Sequence, residues 1–277
     1  MKIGVSSYSF AQLNKAPVEL VALAKELGFE AIEYTPVDRE TALRLREESE
    51  RVGLSIVCYT VGADFLKAES VEAEAYRLHE QVDIAEILGV DKMRHDATGG
   101  FSPLRGSYQG FDQALPLLAR GCRMVTEYAA AKNIATTVEN HGFFCQDSVR
   151  VASLAGAVNH PNFGVLIDIG NFTCADESPA IATGNLAAMA KHVHAKDFHV
   201  KPGTSDHPGE GWFQSRGGNY LRGAIIGHGE VPIRQCLGNL QRAGYDGYVS
   251  IEFEGMEDCV TALRIGRNNL ERFIKMI

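Results

Sequence analysis

No stretch of this 277-residue sequence reaches the run of about 18 apolar residues that a membrane-spanning helix requires. Its start, "MKIGVSSYSF", enters a strand-like segment with no apolar leader, so neither a membrane span nor a secretory signal is expected. Paired cysteines are missing as well. Cys58, Cys122, Cys145, Cys174, Cys236 and Cys259 are scattered without a C-x-x-C, which reads as reduced thiols in a cytoplasmic protein, buried as small hydrophobes. Basic charge is in deficit: 27 Lys plus Arg against 35 Asp plus Glu gives a formal charge of −8. That balance argues against a general affinity for nucleic acid or anionic membrane. The first strand candidate is followed by "SSYSFAQL", which lacks a Gly-rich nucleotide fingerprint.

What is present is an alternation. Strand-like runs ("KIGVSSYSF", "FEAIEYT", "LSIVCYTVG", "VDKMRHD", "IATTVENHG", "FGVLIDIGN", "HVHAKDFHV", "GYVSIEFEG") are separated by helical stretches. The periodicity predicts helices over 17–27, 39–52, 70–88, 149–158, 179–190 and 233–243, another through Leu115 to Ala129, and a terminal one. "LGFEAI", "LGVDKM" and "AGYDGYV" each close a helix with Gly and open a strand. Eight strands with intervening helices imply parallel pairing and right-handed crossovers. The length matches the ~250 residues of a closed α/β barrel. The expected architecture is a single (β/α)8 TIM-barrel domain spanning residues 1–277. The Gly-rich stretch 200–230 is too long for a plain connection and holds the lone Trp212, so it is expected to form a functional lid.

Four consecutive strands deliver Glu139, Asp168, His194 and Glu252 near their C-terminal ends, where such barrels build their active sites. An unpaired buried carboxylate costs several kcal/mol, roughly, so each acid needs a partner. Strand alternation turns all four inward at one rim. Three carboxylates and one imidazole make an oxygen-rich set suited to one divalent metal ion, Mn²⁺ first, with Mg²⁺, Co²⁺ or Zn²⁺ also able to bind.

"VENHG", "LIDIGN", "HVHAKDFH" and "GYDGYVSIEFEG" together resemble the xylose-isomerase-like barrel superfamily, in particular its sugar phosphate isomerase/epimerase group, which includes tagatose 3-epimerase-type enzymes and inosose dehydratases. The resemblance runs over essentially the whole chain. It implies a metal held by Glu139, Asp168, His194 and Glu252, and a small carbohydrate substrate gripped through its carbonyl and neighbouring hydroxyl. It further implies that Glu139 and Glu252 exchange roles as base and acid around an enediolate. Isomerase or epimerase chemistry is the expectation, with lyase or dehydratase action on a keto-sugar or keto-glycoside as the alternative. A non-catalytic sugar-binding barrel is disfavoured because both glutamates are intact. Many relatives carry His three residues after the Asp of the sixth strand; here that residue is Asn171, suited to a substrate hydroxyl rather than a metal. With no histidine in "IVCYTVG", a three-zinc endonuclease is disfavoured too.

Further inward candidates surround this set. His141 and Lys196 either hydrogen-bond substrate oxygens or support the ligands. Glu33 either meets a sugar hydroxyl or pairs with Arg94. Arg94 and His95 have opposite parity, so one of them faces the interior. Arg216 and Arg222 either clamp a phosphate or carboxylate or lie on the surface, and "GHGEVP" offers backbone donors to such a phosphate. Homo-oligomer formation is compatible with the chain.

Overall fold

A ring of eight parallel strands organises the computed structural model, which describes residues 1–100 and 110–277. The ring strands are β1 (Lys2–Ser6), β2 (Ala31–Tyr34), β3 (Ser55–Val61), β4 (Lys92–His95), β5 (Ala135–Glu139), β6 (Phe163–Asp168), β7 (Ala190–Ala195) and β11 (Tyr248–Ile251). Each pairs with its sequence neighbour, and β11 pairs back onto β1 from Lys2↔Tyr248 to Val5↔Ile251. The expected (β/α)8 barrel is what the chain forms.

Its outer layer consists of α1 (Pro17–Glu26), α2 (Arg39–Val52), α3 (Val71–Leu88), α4 (Phe111–Ala130), α5 (Ser148–Val158), α6 (Pro179–Leu186), α7 (Ile233–Arg242) and α8 (Cys259–Lys275). Local signals set their ends. Ser70 accepts the Ala73 N–H to start α3, Asp38 does the same for Thr41 at α2, and Pro17 opens α1. Gly28, Gly89 and Gly244 take φ of 81°, 76° and 87° after their helices, the left-handed stop that the repeated Gly-strand junctions predict. The stripe Val71, Ala75, Leu78, Val82 and Ala85 of α3 is buried against the ring, as are Leu118, Cys122, Val125 and Ala129 of α4. No helix among the described residues is long and apolar enough to cross a membrane.

One expectation needs correction. "HVHAKDFHV" is not one strand: β7 ends at Ala195, and β8 (Asp197–Lys201) leaves the ring. The long Gly-rich stretch that follows holds an ordered sheet, in which β8 pairs antiparallel with β10 (Tyr220–Ala224), and β10 with β9 (Phe213–Gln214). Asp197 is the cause. Its buried carboxylate accepts backbone N–H groups from Phe198, Gly227, Gly229 and Val231, drawing the far end of the excursion back to its root.

Candidate active site

Parallel register levels four side chains at one mouth of the ring. Asp168 lies beside His194 across β6 and β7, and Ser250 lies beside His194 across β7 and β11, which carries Glu252 just past its end. One ligand atom from each of Glu139, Asp168, His194 and Glu252 lies within 4.8 Å of all the others. His194 Nδ1 is 4.0 Å from Glu139 Oε1, 3.9 Å from Asp168 Oδ2 and 3.7 Å from Glu252 Oε2. That nitrogen is buried with no hydrogen-bond partner among the described residues, an arrangement that fits a ligand atom awaiting a cation. The donor set, three hard carboxylates and one imidazole, fits a divalent ion.

Each candidate ligand is braced from behind. Asp168 Oδ1 accepts N–H groups from Gly170 at 2.8 Å and Asn171 at 3.0 Å, while the Asn140 amide pairs with the backbone N–H and C=O of Asp168. Glu139 Oε2 meets Arg94 at 2.6 Å, and its Oε1 accepts from Asn171 Nδ2 at 2.9 Å. Asn171 therefore orients Glu139 and also receives Lys196 Nζ at 3.2 Å. The buried Lys196 ammonium lies 2.6 Å from Glu252 Oε2, 3.1 Å from Asp168 Oδ2 and 3.3 Å from Glu254 Oε1. Burial pushes Asp168 up to about 6, with Lys196 opposing and Glu139 and Glu252 adding to the rise. Burial would also raise Glu252, but Lys196 and His194 hold it well below the usual carboxylate range.

Glu33 corrects a further expectation. It contacts neither the rim pocket nor Arg94; on β2, with no exposed surface, it lies between two imidazoles. Its Oε2 is 2.7 Å from His192 Nε2 and its Oε1 is 2.6 Å from His194 Nε2. Because His192 precedes His194 by two positions, it faces the same way one layer deeper, where Ser250 also reaches it at 3.2 Å. Glu33, His192 and Cys58 form a second compact group of metal-type donors, but both Glu33 oxygens already face imidazoles.

Above the four ligands opens a hollow of about 290 Å³ whose walls include Tyr8, Arg94, Asp96, His141, Lys196 and Glu254. Arg94 is the inward member of its pair. His95 packs outward, edge-on to Phe65 at 6.0 Å. His141 Nδ1 lies 2.9 Å from Asp96 Oδ1, and that bond raises the imidazole above its ordinary value against the opposing effect of burial. Asp96 and Tyr8 went unforeseen. Asp96 shares the parity of Arg94 and stands two residues past it in "RHD", a legible signal. Tyr8 lies in a single 3-10 turn after β1, for which the sequence carries no periodic signal.

The expected phosphate contacts lie elsewhere. Arg216 Nη1 bonds Asp147 at 3.0 Å, Arg222 stands over the Trp212 ring at 5.5 Å and 3.8 Å from Glu257, and none of the three lines the hollow. The "GHGEVP" donors of Gly227, Gly229 and Val231 are occupied by Asp197.

Among solved structures, the chain resembles L-ribulose 3-epimerase at 16% identity and TM-score 0.77, covering 99% of this chain and 95% of that one. The probable 3-DHS dehydratase AsbF of Bacillus anthracis, involved in petrobactin synthesis, aligns at 20% identity and TM-score 0.75, covering 98% and 99%. A xylose isomerase-like TIM barrel protein from Mycobacterium smegmatis, solved in complex with magnesium, aligns at 16% identity and TM-score 0.74, covering 99% and 97%. No curated protein matches at a significant level. The family model described as xylose isomerase-like TIM barrel matches residues 21–274, and the chain belongs to that family.

Proposed function

We propose that this chain is a metal-dependent isomerase or epimerase that moves a proton at the carbon beside a sugar carbonyl. The observation that carries the reading is the pair Glu139 and Glu252, one buried and one half-buried acid sharing one divalent-type donor set beneath a single hollow. Glu139, Asp168, His194 and Glu252 would hold the ion. Mn²⁺ or Mg²⁺ suits these donors, and one similar barrel was solved with magnesium. When bound, the ion supplies Lewis-acid polarisation of the carbonyl and so acidifies the neighbouring C–H.

The protein's own groups do the rest. Glu252, held ionised by Lys196 and His194, takes the proton from one face. Glu139, oriented by Arg94 and Asn171, returns it from the other. Lys196 and Arg94 place two cationic donors where negative charge develops on oxygen. With Arg216, Arg222 and the Gly227–Val231 donors engaged internally, an unphosphorylated sugar fits this mouth better than a sugar phosphate.

One observation favours a second reading, dehydration or lyase action. Asp96 orients His141 at the wall of the same hollow, a dyad able to donate a proton to a departing oxygen. Both readings begin with proton abstraction and diverge in product. The test is solvent-deuterium exchange into a panel of ketoses and keto-glycosides with each metal. Glu139→Gln and Glu252→Gln should each lose about 10²–10⁴-fold in exchange. Near-normal exchange in both variants would overturn the two-glutamate mechanism. An unsaturated product that disappears in His141→Asn would select elimination over epimerisation.

A further inference from the structure

The connection from β5 into α5 is folded against its own preference. Gly142 and Phe143 take φ of 83° and 64° in succession. Glycine enters that left-handed region freely, but a bulky aromatic residue stays there only when its surroundings over-determine it. Here they do. The Phe143 N–H donates to Gln146 Oε1 at 2.6 Å, and its C=O accepts from Arg216 Nη2. The turn so held closes a bridge between His141 and Cys145, and its shape decides where His141 emerges on the wall of the hollow.

Gln146 is 2% exposed, and its amide works in two directions. While Oε1 holds Phe143, Nε2 donates at 2.9 Å to the C=O of Asn171, the first residue of the 3-10 turn Asn171–Ala175 that follows β6. The N–H of Asn171 is already given to Asp168 Oδ1 at 3.0 Å. With both backbone groups tied, the Asn171 side chain is aimed: it donates to Glu139 Oε1 at 2.9 Å and accepts from Lys196 at 3.2 Å. A polar chain therefore runs from Phe143 through Gln146 and Asn171 back to Glu139, at the end of the strand that leads into the turn. The excursion supports the same 3-10 turn from outside. The Arg216 N–H donates to the Cys174 C=O at 2.8 Å, and Asp176 accepts from Ser215 Oγ at 2.7 Å and Asn219 Nδ2 at 2.8 Å.

We infer that Gln146 is a positioning residue of the proposed reaction: by holding the Asn171 carbonyl and the Phe143 N–H at once, it fixes Glu139 in register with the wall that carries His141. This rests on the proposed reading for what Glu139 does. Gln146 does not line the hollow and acts through Asn171. The residue type is dictated by the two partners, since one tip must present an acceptor to an N–H and a donor to a carbonyl. A carboxylate offers only the first and an apolar side chain neither. At this burial neither bond can be handed to solvent.

The experiment compares Gln146→Met, which keeps the side-chain bulk and loses both hydrogen bonds, with Asn171→Ala and the double variant. Mn²⁺ affinity is read by calorimetric titration, and kcat and KM by solvent-deuterium exchange. Gln146→Met should weaken Mn²⁺ binding and lower kcat, each by about 10–100-fold, with KM nearly unchanged. The double variant should be no worse than Asn171→Ala alone, the mark of one side chain acting through the other. Losses that multiply, or a Gln146→Met protein equal to wild type in both readouts, would overturn the inference. Should Gln146→Met fail to fold, Phe143→Gly supplies the left-handed residue without strain. Gln146→Met in that background must still lose Mn²⁺ affinity relative to Phe143→Gly, and equality would sink the idea. The two readings fail separately. Absent exchange in the wild type, with Mn²⁺ affinity still falling in Gln146→Met, removes the catalytic reading and leaves the positioning role. Full exchange in wild type and Gln146→Met alike, with equal Mn²⁺ affinity, does the reverse.

Discussion

Glu33 has no exposed surface, and a carboxylate so placed is tolerated only because His192 and His194 flank it. By facing His194 Nε2 it leaves Nδ1 turned towards the three acids, so a residue on β2 sets the orientation of a candidate ligand on β7. Glu33→Gln should therefore weaken divalent-metal binding by about 10–100-fold in a calorimetric titration while the protein still unfolds cooperatively. Unchanged affinity would show that the imidazole needs no such partner. At this scale the convergence of the four side chains was legible because an acid at the end of an apolar strand is chemically conspicuous. Glu33 was misplaced for the opposite reason: parity shows that it points inward, but not which layer of the interior it fills.

The connections between elements carry their own electrostatics. Asp197 gathers three backbone donors of the returning segment 227–231, and Asp197→Ala would strand them. The expected loss is about 2–4 kcal/mol, or roughly 5–10 °C in Tm, measured by thermal unfolding. On the other side of the mouth, Glu74 of α3 accepts the Asp64 N–H and is gripped by Arg77 at 2.8 Å, tying the loop after β3 to its helix. Burial raises this carboxyl, yet Arg77 and the Asp64 N–H outweigh it and hold the folded-state value below the ordinary 4.5. Glu74 therefore adds stability above that pH and loses it as pH falls. The Tm gap between the wild type and Glu74→Gln should close on acidification, and a gap that widened would contradict the sign. Helix bounds such as Arg39–Val52 were readable from caps and periodicity. The break at Lys196 shows in the sequence only as a slip in the alternation of "HVHAKDFHV", where Lys196 and Asp197 are adjacent polar residues, while the turn itself depends on partners about 30 residues away.

For the whole molecule, the closed ring was legible because alternation and Gly-capped junctions are repeated along the chain, whereas the shape of the excursion depends on long-range pairing. The cluster of Glu139, Asp168 and Glu252 concentrates negative charge in a buried place, offset by Lys196 and Arg94. A divalent ion bound there stabilises the folded state by mass action, about 2.7 kcal/mol at a hundredfold excess over Kd. Tm should rise by roughly 5–10 °C on adding Mn²⁺ and fall back with a chelator. Glu139→Gln combined with Glu252→Gln should abolish the shift, and a shift that survives would place the ion elsewhere.

The seam between β1 and β11 has a consequence for how the molecule is made. During synthesis the first strand waits with an unsatisfied edge until residues 248–251 emerge and zip onto it, a late and long-range event that exposes the nascent chain to edge-to-edge aggregation. Glu252 follows that last strand directly. Sealing the cylinder and bringing Glu252 to the other three side chains of the cluster are thus a single event, and an unsealed intermediate lacks the complete donor set.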